Sequence, residues 1–268
     1  MLDVSRSGYY AWLTRPISQR ERRNQILLRE IVLLHEKYPS LGLDGLYHIL
    51  KRKHTCSRGR IYRLMKRAGI HSNRKAGFKV TTNSKHNLPV APNLLGRNFH
   101  AATPNAVWVS DIAYIRTGQG WLYLAIVKDL CTRKVVGYAL STRINTRLIL
   151  DALAMALRRQ RPSPGLIFHS DRGVQYASAS FRAALAAAEI RQSMSRKGDP
   201  YDNAVAENFF SCLKCEALHL SFFTTHNQAA DAVFAYIEAF YNTIRPHSKI
   251  SWLSPAAFEK YCFSHFAA

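Results

Sequence analysis

The spacing of apolar positions changes period along the chain. Ile26, Leu27, Ile31, Leu34 and Tyr38 recur near helical spacing and predict a helix over 19–37, which Pro39 ends. Leu43, Leu46, Tyr47 and Leu50 predict a second helix over 43–53. Ser57 can cap a third through Ile61, Leu64 and Met65, with Gly69 just past its end. From Val107 the period becomes two. Val107–Ile115, Trp121–Lys128 and Lys134–Leu140 alternate and are rich in β-branched and aromatic residues, with turns at Thr117–Gly120 and Leu130–Arg133, so they read as an antiparallel meander. Helical spacing returns at Ile149, Ala152, Leu153, Ala156 and Leu157, between a capping Asn145 and the breakers Pro162 and Pro164. Leu166–His169 and Ile190–Met194 are two further strands, with a helix over 178–188 between them. Thr225 and Gln228 make a capping box for a last long helix running through Ala232, Ile237 and Tyr241 to Pro246.

One more helix stands between the fifth strand and the last. Asp199 suits its N-cap and Pro200 its first position. Ala206, Phe209, Leu213 and Ala217 form an apolar stripe, and Asn203, Glu207, Phe210 and Lys214 the stripe beside it. Three antiparallel strands, a crossover helix and two more strands among helices is an α/β order. It fits an RNase H-like mixed five-stranded sheet with flanking helices, preceded by a small all-α, helix-turn-helix-like domain. The expected organisation is a turn-rich aromatic N-terminal segment at 1–18, a helical domain at 19–71, a basic linker at 72–105 and an α/β core with a C-terminal helix at 106–268. Arg74, Lys75, Lys79, Lys85 and Arg97 make that linker an extended basic tether.

Charge adds the partner. The chain of 268 residues carries 38 Lys and Arg against 17 Asp and Glu, a formal net charge of +21, which points to a polyanion, most simply nucleic acid. Between Gly45 and Ser110 there is no acid, against thirteen Lys or Arg. Arg58, Arg60, Arg63, Lys66 and Arg67 sit on or around the third helix and are candidates for DNA contact, the alternative being a solvated basic face. No apolar run is long enough to span a bilayer and no signal pattern opens the chain, which disfavours a membrane partner. Five scattered cysteines do not suggest a disulfide framework and are read as belonging to a reducing cytoplasmic setting.

Against this basic background three carboxylates stand out. Asp111 lies in mid-strand, on the face of Val109 and Ala113, where a charge is costly unless paired or metal-bound. Asp171 follows a buried strand at its carboxyl end, a usual ligand position in α/β sheets, although Asp before a glycine turn is also ordinary turn chemistry. His169-Ser170-Asp171 is no hydrolase triad, because successive strand residues point to opposite faces. Glu207 lies 35 intervening residues beyond Asp171. Carboxylates from a strand, a strand end and a helix suit hard cations such as Mg2+, with Mn2+ as substitute. Two such ions at ~3.5–4 Å can activate an attacking oxygen and stabilise a leaving one in phosphodiester transfer. Asp129 and Glu216 are competing carboxylates, before a turn and on another helical face. Cys212, Cys215 and His219 share a face but are weak as a zinc set. Arg245 and His247 are open between facing DNA and capping the last helix.

Trp108-Val109-Ser110-Asp111-Ile112, His169 to Tyr176 and Ser195 to Phe209 resemble the integrase core of bacterial insertion-element transposases, above all the OrfB chain of two-frame insertion sequences, relatives of retroviral integrases. Lys214-Cys215-Glu216 and Tyr241 to His247 are similar to later motifs of that family, while Leu41 to Leu46 departs from it. The resemblance implies a DDE-type transposase that cleaves DNA 3′ ends and transfers strands. Asp111, Asp171 and Glu207 would be its metal-binding catalytic triad and Lys214 a DNA contact near them. It implies DNA ends and target DNA as partners, a homo-oligomer of at least two copies, an upstream-frame partner, and a bacterial, nucleoid-associated location. The alternatives are a structure-specific nuclease of the same fold and a catalytically silent DNA-binding regulator.

Overall fold

The computed structural model describes residues 5–72, 88–196 and 200–266. It divides into two compact units, Met1–Asn73 and Arg74–Ala268. The expected linker cations Arg74, Lys75, Lys79 and Lys85 lie outside the described residues, as does Asp199.

The first unit is helical. The segment expected to be turn-rich forms helix α1, Arg6–Leu13, because Ser5 caps it by accepting the Gly8 N–H at 3.1 Å. None of its residues is buried. Helix α2, Gln19–Lys37, begins at Ser18, whose hydroxyl accepts from the Glu21 N–H. Helix α3, Leu43–Leu50, stops three residues before the expected end, where Lys53 and His54 both donate back to the Leu50 carbonyl. Helix α4, Arg58–Arg67, is capped by Ser57 and closes in a Schellman motif. Ile70 N donates to Met65 O and Gly69 N to Lys66 O, with Gly69 at φ +66. Leu27, Ile31, Leu46, Leu50, Ile61 and Leu64 form the shared core, each at helical spacing on its own element.

The second unit is a mixed five-stranded sheet. Strands β1 (Val107–Thr117), β2 (Gly120–Asp129) and β3 (Val135–Ser141) form the meander. Helix α5 (Thr146–Gln160) is capped by Asn145. Strand β4 (Ile167–Ser170) follows, then the short α6 (Val174–Ala177), α7 (Ala179–Ala187) and β5 (Arg191–Met194). Helix α8 (Ala204–Glu216), α9 (His226–Phe234) and α10 (Pro255–Phe266) complete the unit. The strand order is β3-β2-β1-β4-β5, antiparallel within the meander and parallel for β1, β4 and β5.

Alternation along β1 assigns the two faces. Trp108 points to one side and packs with Val127, Phe168, Tyr176 and the apolar stripe of α5. Gly137 lets α5 come close: a Cβ there would land on the Ala152 carbonyl and within 2.7 Å of the Ala156 nitrogen. Val107 and Val109 point to the other side, where they meet Leu95, Leu130 and Ala206 of α8. Residues 88–105, expected as linker, belong to this packing: Leu95 is buried, Leu94 N donates to Ser193 Oγ and Met194 N to Pro92 O.

The expected last helix takes an unexpected form. After α9 the backbone widens into a π-helix over Ala235–Tyr241. That spreads Tyr236, Ile237, Phe240 and Tyr241 into one broad buried face. Asn242 then bonds both backbone groups of Val135, at 3.0 Å each, beside the bulge at Val127/Lys128. Helix α10 was not signalled by the spacing of apolar residues.

Lys128 is 2% exposed on the α8 side of the sheet, with its amine over the rings of Phe209 and Tyr241. Burial first, then the charges of Arg133 and Arg245, lowers its pKa from 10.5 to about 7, with Cys212 opposing. Between those values the unfolded chain holds a proton that the folded chain lacks, so stability rises with pH across that window. Below about 7 the full cost remains. Lys128→Met therefore stabilises the fold by on the order of 1 kcal/mol or more at pH 7, and the gain shrinks toward pH 10.5. Melting curves of both proteins at the two pH values check this; a wild type that is the more stable at pH 7 contradicts it.

Candidate active site

Strand register sets the first two carboxylates side by side. β1 and β4 run parallel with Val107 beside Ile167 and Val109 beside His169. Two residues further along, Asp111 and Asp171 are the corresponding positions, the second just beyond the end of β4. Asp111 faces the α8 side together with Val109 and Ala113, as its mid-strand position predicts. Its Oδ1 accepts the Ile112 N–H at 2.8 Å. Asp171 Oδ1 accepts the Gly173 N–H at 2.9 Å, so the turn chemistry expected of it is also present.

Helix α8 supplies the third. Ala206, Phe209 and Leu213 are fully buried and fix the helix against the sheet, which leaves Glu207 and Lys214 half-buried on the neighbouring stripe. The α-helix starts at Ala204, not Pro200, because Pro200–Asn203 form a single 3-10 turn. That turn is held from outside by Asp202. Its carboxylate takes the Arg196 N–H at 2.8 Å, the Arg196 guanidinium at 3.1 Å, Arg97 Nε at 3.2 Å and Asn93 Nδ2 at 2.9 Å. The Arg196 hydrogen bonds, above all, keep this carboxyl well below the usual range. His169 completes the anchor. Burial lowers its pKa, so the ring is neutral: Nε2 donates to the Asp202 carbonyl and Nδ1 accepts from Ser193. Asp202 thus shapes the helix start.

The three carboxylates feel one another. Asp111 is pushed well above its ordinary pKa, first by burial, then by the charge of Asp171, with Glu207 adding and the Ile112 N–H and Lys214 opposing. Glu207 is raised by burial and then by Asp171. Buried Tyr176, whose hydroxyl meets Ser110 Oγ at 2.8 Å, is raised by burial and then by Asp111 and Asp171. Among the described residues no three Asp, Glu, His or Cys side chains close on a common point as a finished metal cluster. Carboxylates gathered on one face repel one another, which favours such spacing. The donor set still fits a hard divalent cation, because its donor atoms are all carboxylate oxygens. Asn203 adds a fourth oxygen nearby. Its Nδ2 donates to the Ser110 carbonyl at 3.3 Å, while its Oδ1 is buried without a partner.

The other candidates have different neighbours. Asp129 accepts from Thr132 N and Oγ1 and from Asn105 N, and so serves its turn. Glu216 at the far end of α8 takes both arms of Arg245, at 2.8 and 2.7 Å, and the Tyr236 hydroxyl at 2.8 Å. Arg245 also donates to His247 Nε2, and burial keeps that imidazole neutral. Arg245 and His247 turn inward to hold α8, an outcome with no local sequence signal because the partners are 29 residues apart. In the helical unit Arg58 pairs with Asp44 and Arg67 with Glu21, while Arg60 bonds Asn24 and the Thr55 carbonyl. Arg63 and Lys66 are exposed. Exposed pairs of this kind are worth little, so they leave the guanidinium groups able to exchange partners.

Residues 101–200 match a family model described as an integrase core domain, and residues 188–255 match a second model with that description. Over 266 residues the chain is 44% identical to a Shigella sonnei protein called insertion element IS600 uncharacterized 31 kDa protein, covering 97% of each. Over 265 residues it is 38% identical to transposase InsF for insertion sequence IS3A of Escherichia coli K12, covering 97% of this chain and 91% of InsF. A chain of the simian T-cell lymphotropic virus intasome, solved in complex with PP2A regulatory subunit B56 gamma, superposes with a TM-score of 0.51 at 16% identity, covering 84% of this chain and 73% of that one. At that identity the likeness is one of fold, and the sheet is RNase H-like.

The buried pair at the end of α8 gives a quantitative expectation. Glu216→Ala leaves the Arg245 charge buried without its partner and lowers stability by about 3–5 kcal/mol. Glu216→Gln combined with Arg245→Met costs less than the two single changes added together. Urea unfolding of wild type, Glu216→Ala, the two single variants Glu216→Gln and Arg245→Met and their combination checks this; additive losses contradict it.

Proposed function

The chain belongs to the insertion-sequence transposase family represented by the IS3 and IS600 proteins, and from that premise we propose that it cleaves element DNA at its 3′ ends and joins them to target DNA through Asp111, Asp171 and Glu207. The observation that carries this reading is the parallel β1–β4 register, which pairs the Asp111 and Asp171 positions on the face covered by α8. In the first step a water oxygen bonds to the phosphorus and the 3′ oxygen leaves with a proton. In the second the freed 3′-hydroxyl bonds to a target phosphorus and displaces the target strand's own 3′ oxygen, which takes up the proton that the hydroxyl gives up.

Asp111, Asp171 and Glu207 would hold the divalent cations, Mg2+ or Mn2+ in its stead. Such ions supply Lewis acidity, lowering the pKa of the attacking oxygen and stabilising the leaving one. The protein's part is positioning and charge. Asp111 is held by its strand and Asp171 by the Gly173 N–H. Glu207 rides on a helix anchored at both ends, by Asp202 and by Glu216. Lys214, two helical turns beyond Glu207, would meet a DNA phosphate beside the carboxylates. Arg58, Arg60, Arg63, Lys66 and Arg67 of the helical unit would bind DNA backbone. Two ends must be cut for one element to move, so the working form holds at least two copies, joined by an upstream-frame partner for end recognition.

Labelled element-end DNA incubated with Mg2+ or Mn2+, wild type against Asp171→Asn, tests the assignment in the presence of the upstream-frame product. The expected result is nicked and joined products with wild type and a loss of at least ~1000-fold with Asp171→Asn, on the order of a lost transition-state contact worth about 4 kcal/mol. Equal activity of the variant would refute the site. Nicks without joined products would make the protein a nuclease of this fold.

A further inference from the structure

A cavity of about 140 Å3 opens at the other end of the sheet. Arg133 from the β2–β3 turn, His100 from the segment before β1 and Lys249 from the turn before α10 line it, and no Asp or Glu does. The nearest acids already have partners: Asp129 takes Thr132 and Asn105, and Glu259 takes Lys134. Arg133 sits at φ +64, in the left-handed region. Its Nη2 donates to the Phe99 carbonyl at 3.0 Å, but its Nε is buried without any acceptor. A buried, unpaired guanidinium N–H is costly. The cavity wall adds the Lys249 ammonium and the His100 imidazole, beside the Tyr261 hydroxyl and the thiols of Cys131 and Cys262. His100 and Lys249 are exposed at the rim.

The aromatic wall narrows the chemistry. Tyr261 is stacked on His265, with ring centroids 4.1 Å apart, and on Phe258 at 6.1 Å. The Tyr261 and Phe258 rings form the apolar side of the wall. The small volume and the Arg133, His100 and Lys249 side chains suit a small anion.

We propose that this cavity, lined by His100, Arg133 and Lys249, holds a phosphate of the DNA backbone at a second contact point distinct from the carboxylate site. The separation follows from strand geometry. Leu130, in the cavity wall, bonds through its N–H to Val107 at the start of β1, and Asp111 lies four residues further on, roughly 13 Å at strand rise. The phosphate contact would thus engage the duplex beyond the scissile bond. It rests on the DNA-transfer reading above.

Salt dependence of duplex binding tests it, by fluorescence anisotropy between roughly 50 and 200 mM salt. Lys249→Gln and His100→Gln are suitable because both side chains are exposed, and melting curves confirm folding. Arg158→Gln, exposed on α5, removes the same charge elsewhere. The expected result is a slope of log affinity against log salt that is shallower by about 0.9 in Lys249→Gln and in the double variant, but unchanged in Arg158→Gln. An unchanged slope in the cavity variants, with wild type binding and cutting DNA normally, overturns the cavity alone. Equal loss in Arg158→Gln overturns it too, as a mere effect of net charge. Wild type that binds no duplex overturns both the cavity and the DNA-transfer reading.

Discussion

The hydrogen bonding of β4 alongside β1 is the constraint on which the rest depends. Because the two strands run parallel with Val109 beside His169, Asp111 and Asp171 emerge at corresponding positions. A shift of one residue would send Asp111 to the α5 side, among Trp108 and Phe168, where no ion could reach it. Register here is pinned by burial on both faces, since Trp108 and Val109 are each fully enclosed on opposite sides. The same hydrogen bonds that stabilise the sheet therefore set the two carboxylates side by side.

The third acid needed a different device. A helix start can drift, and α8 begins in a 3-10 turn without a side-chain cap from Asn203. Two buried or half-buried polar anchors compensate. Asp202 fixes the beginning to Arg196, Arg97 and Asn93, and Glu216 fixes the end to Arg245 and Tyr236. Between them lies an apolar stripe with no polar atom to satisfy. The result is a helix held against a cluster of like charges that pushes against it.

Much of this was legible in the chain itself. Strands showed because both faces of β1 and β2 alternate, and caps showed because they are local: Ser57 with Gly69, Asn145, and Thr225 with Gln228 all act within one turn of helix. Asp111 was visible as a charge inside an apolar strand. What stayed hidden was long-range or non-periodic. Arg245 reads as a loop cation until Glu216 is seen beside it. The π-helix at 235–241 keeps a helical apolar pattern, so no spacing betrays it. Residues 88–105 look like a tether because of their Pro and Asn content, yet Leu95 is buried in the second core. The pairing of His169 with the Asp202 carbonyl across 33 residues could be found only in the fold.

Anomalous diffraction from crystals grown with Mn2+ tests the central claim most directly. An ion seated between the carboxylates of Asp111 and Asp171, with Glu207 drawn in as a further oxygen ligand, is the expected result. Ions found only elsewhere on the chain, or at Asp111 and Asp171 with Glu207 turned away in the presence of bound DNA, would contradict it.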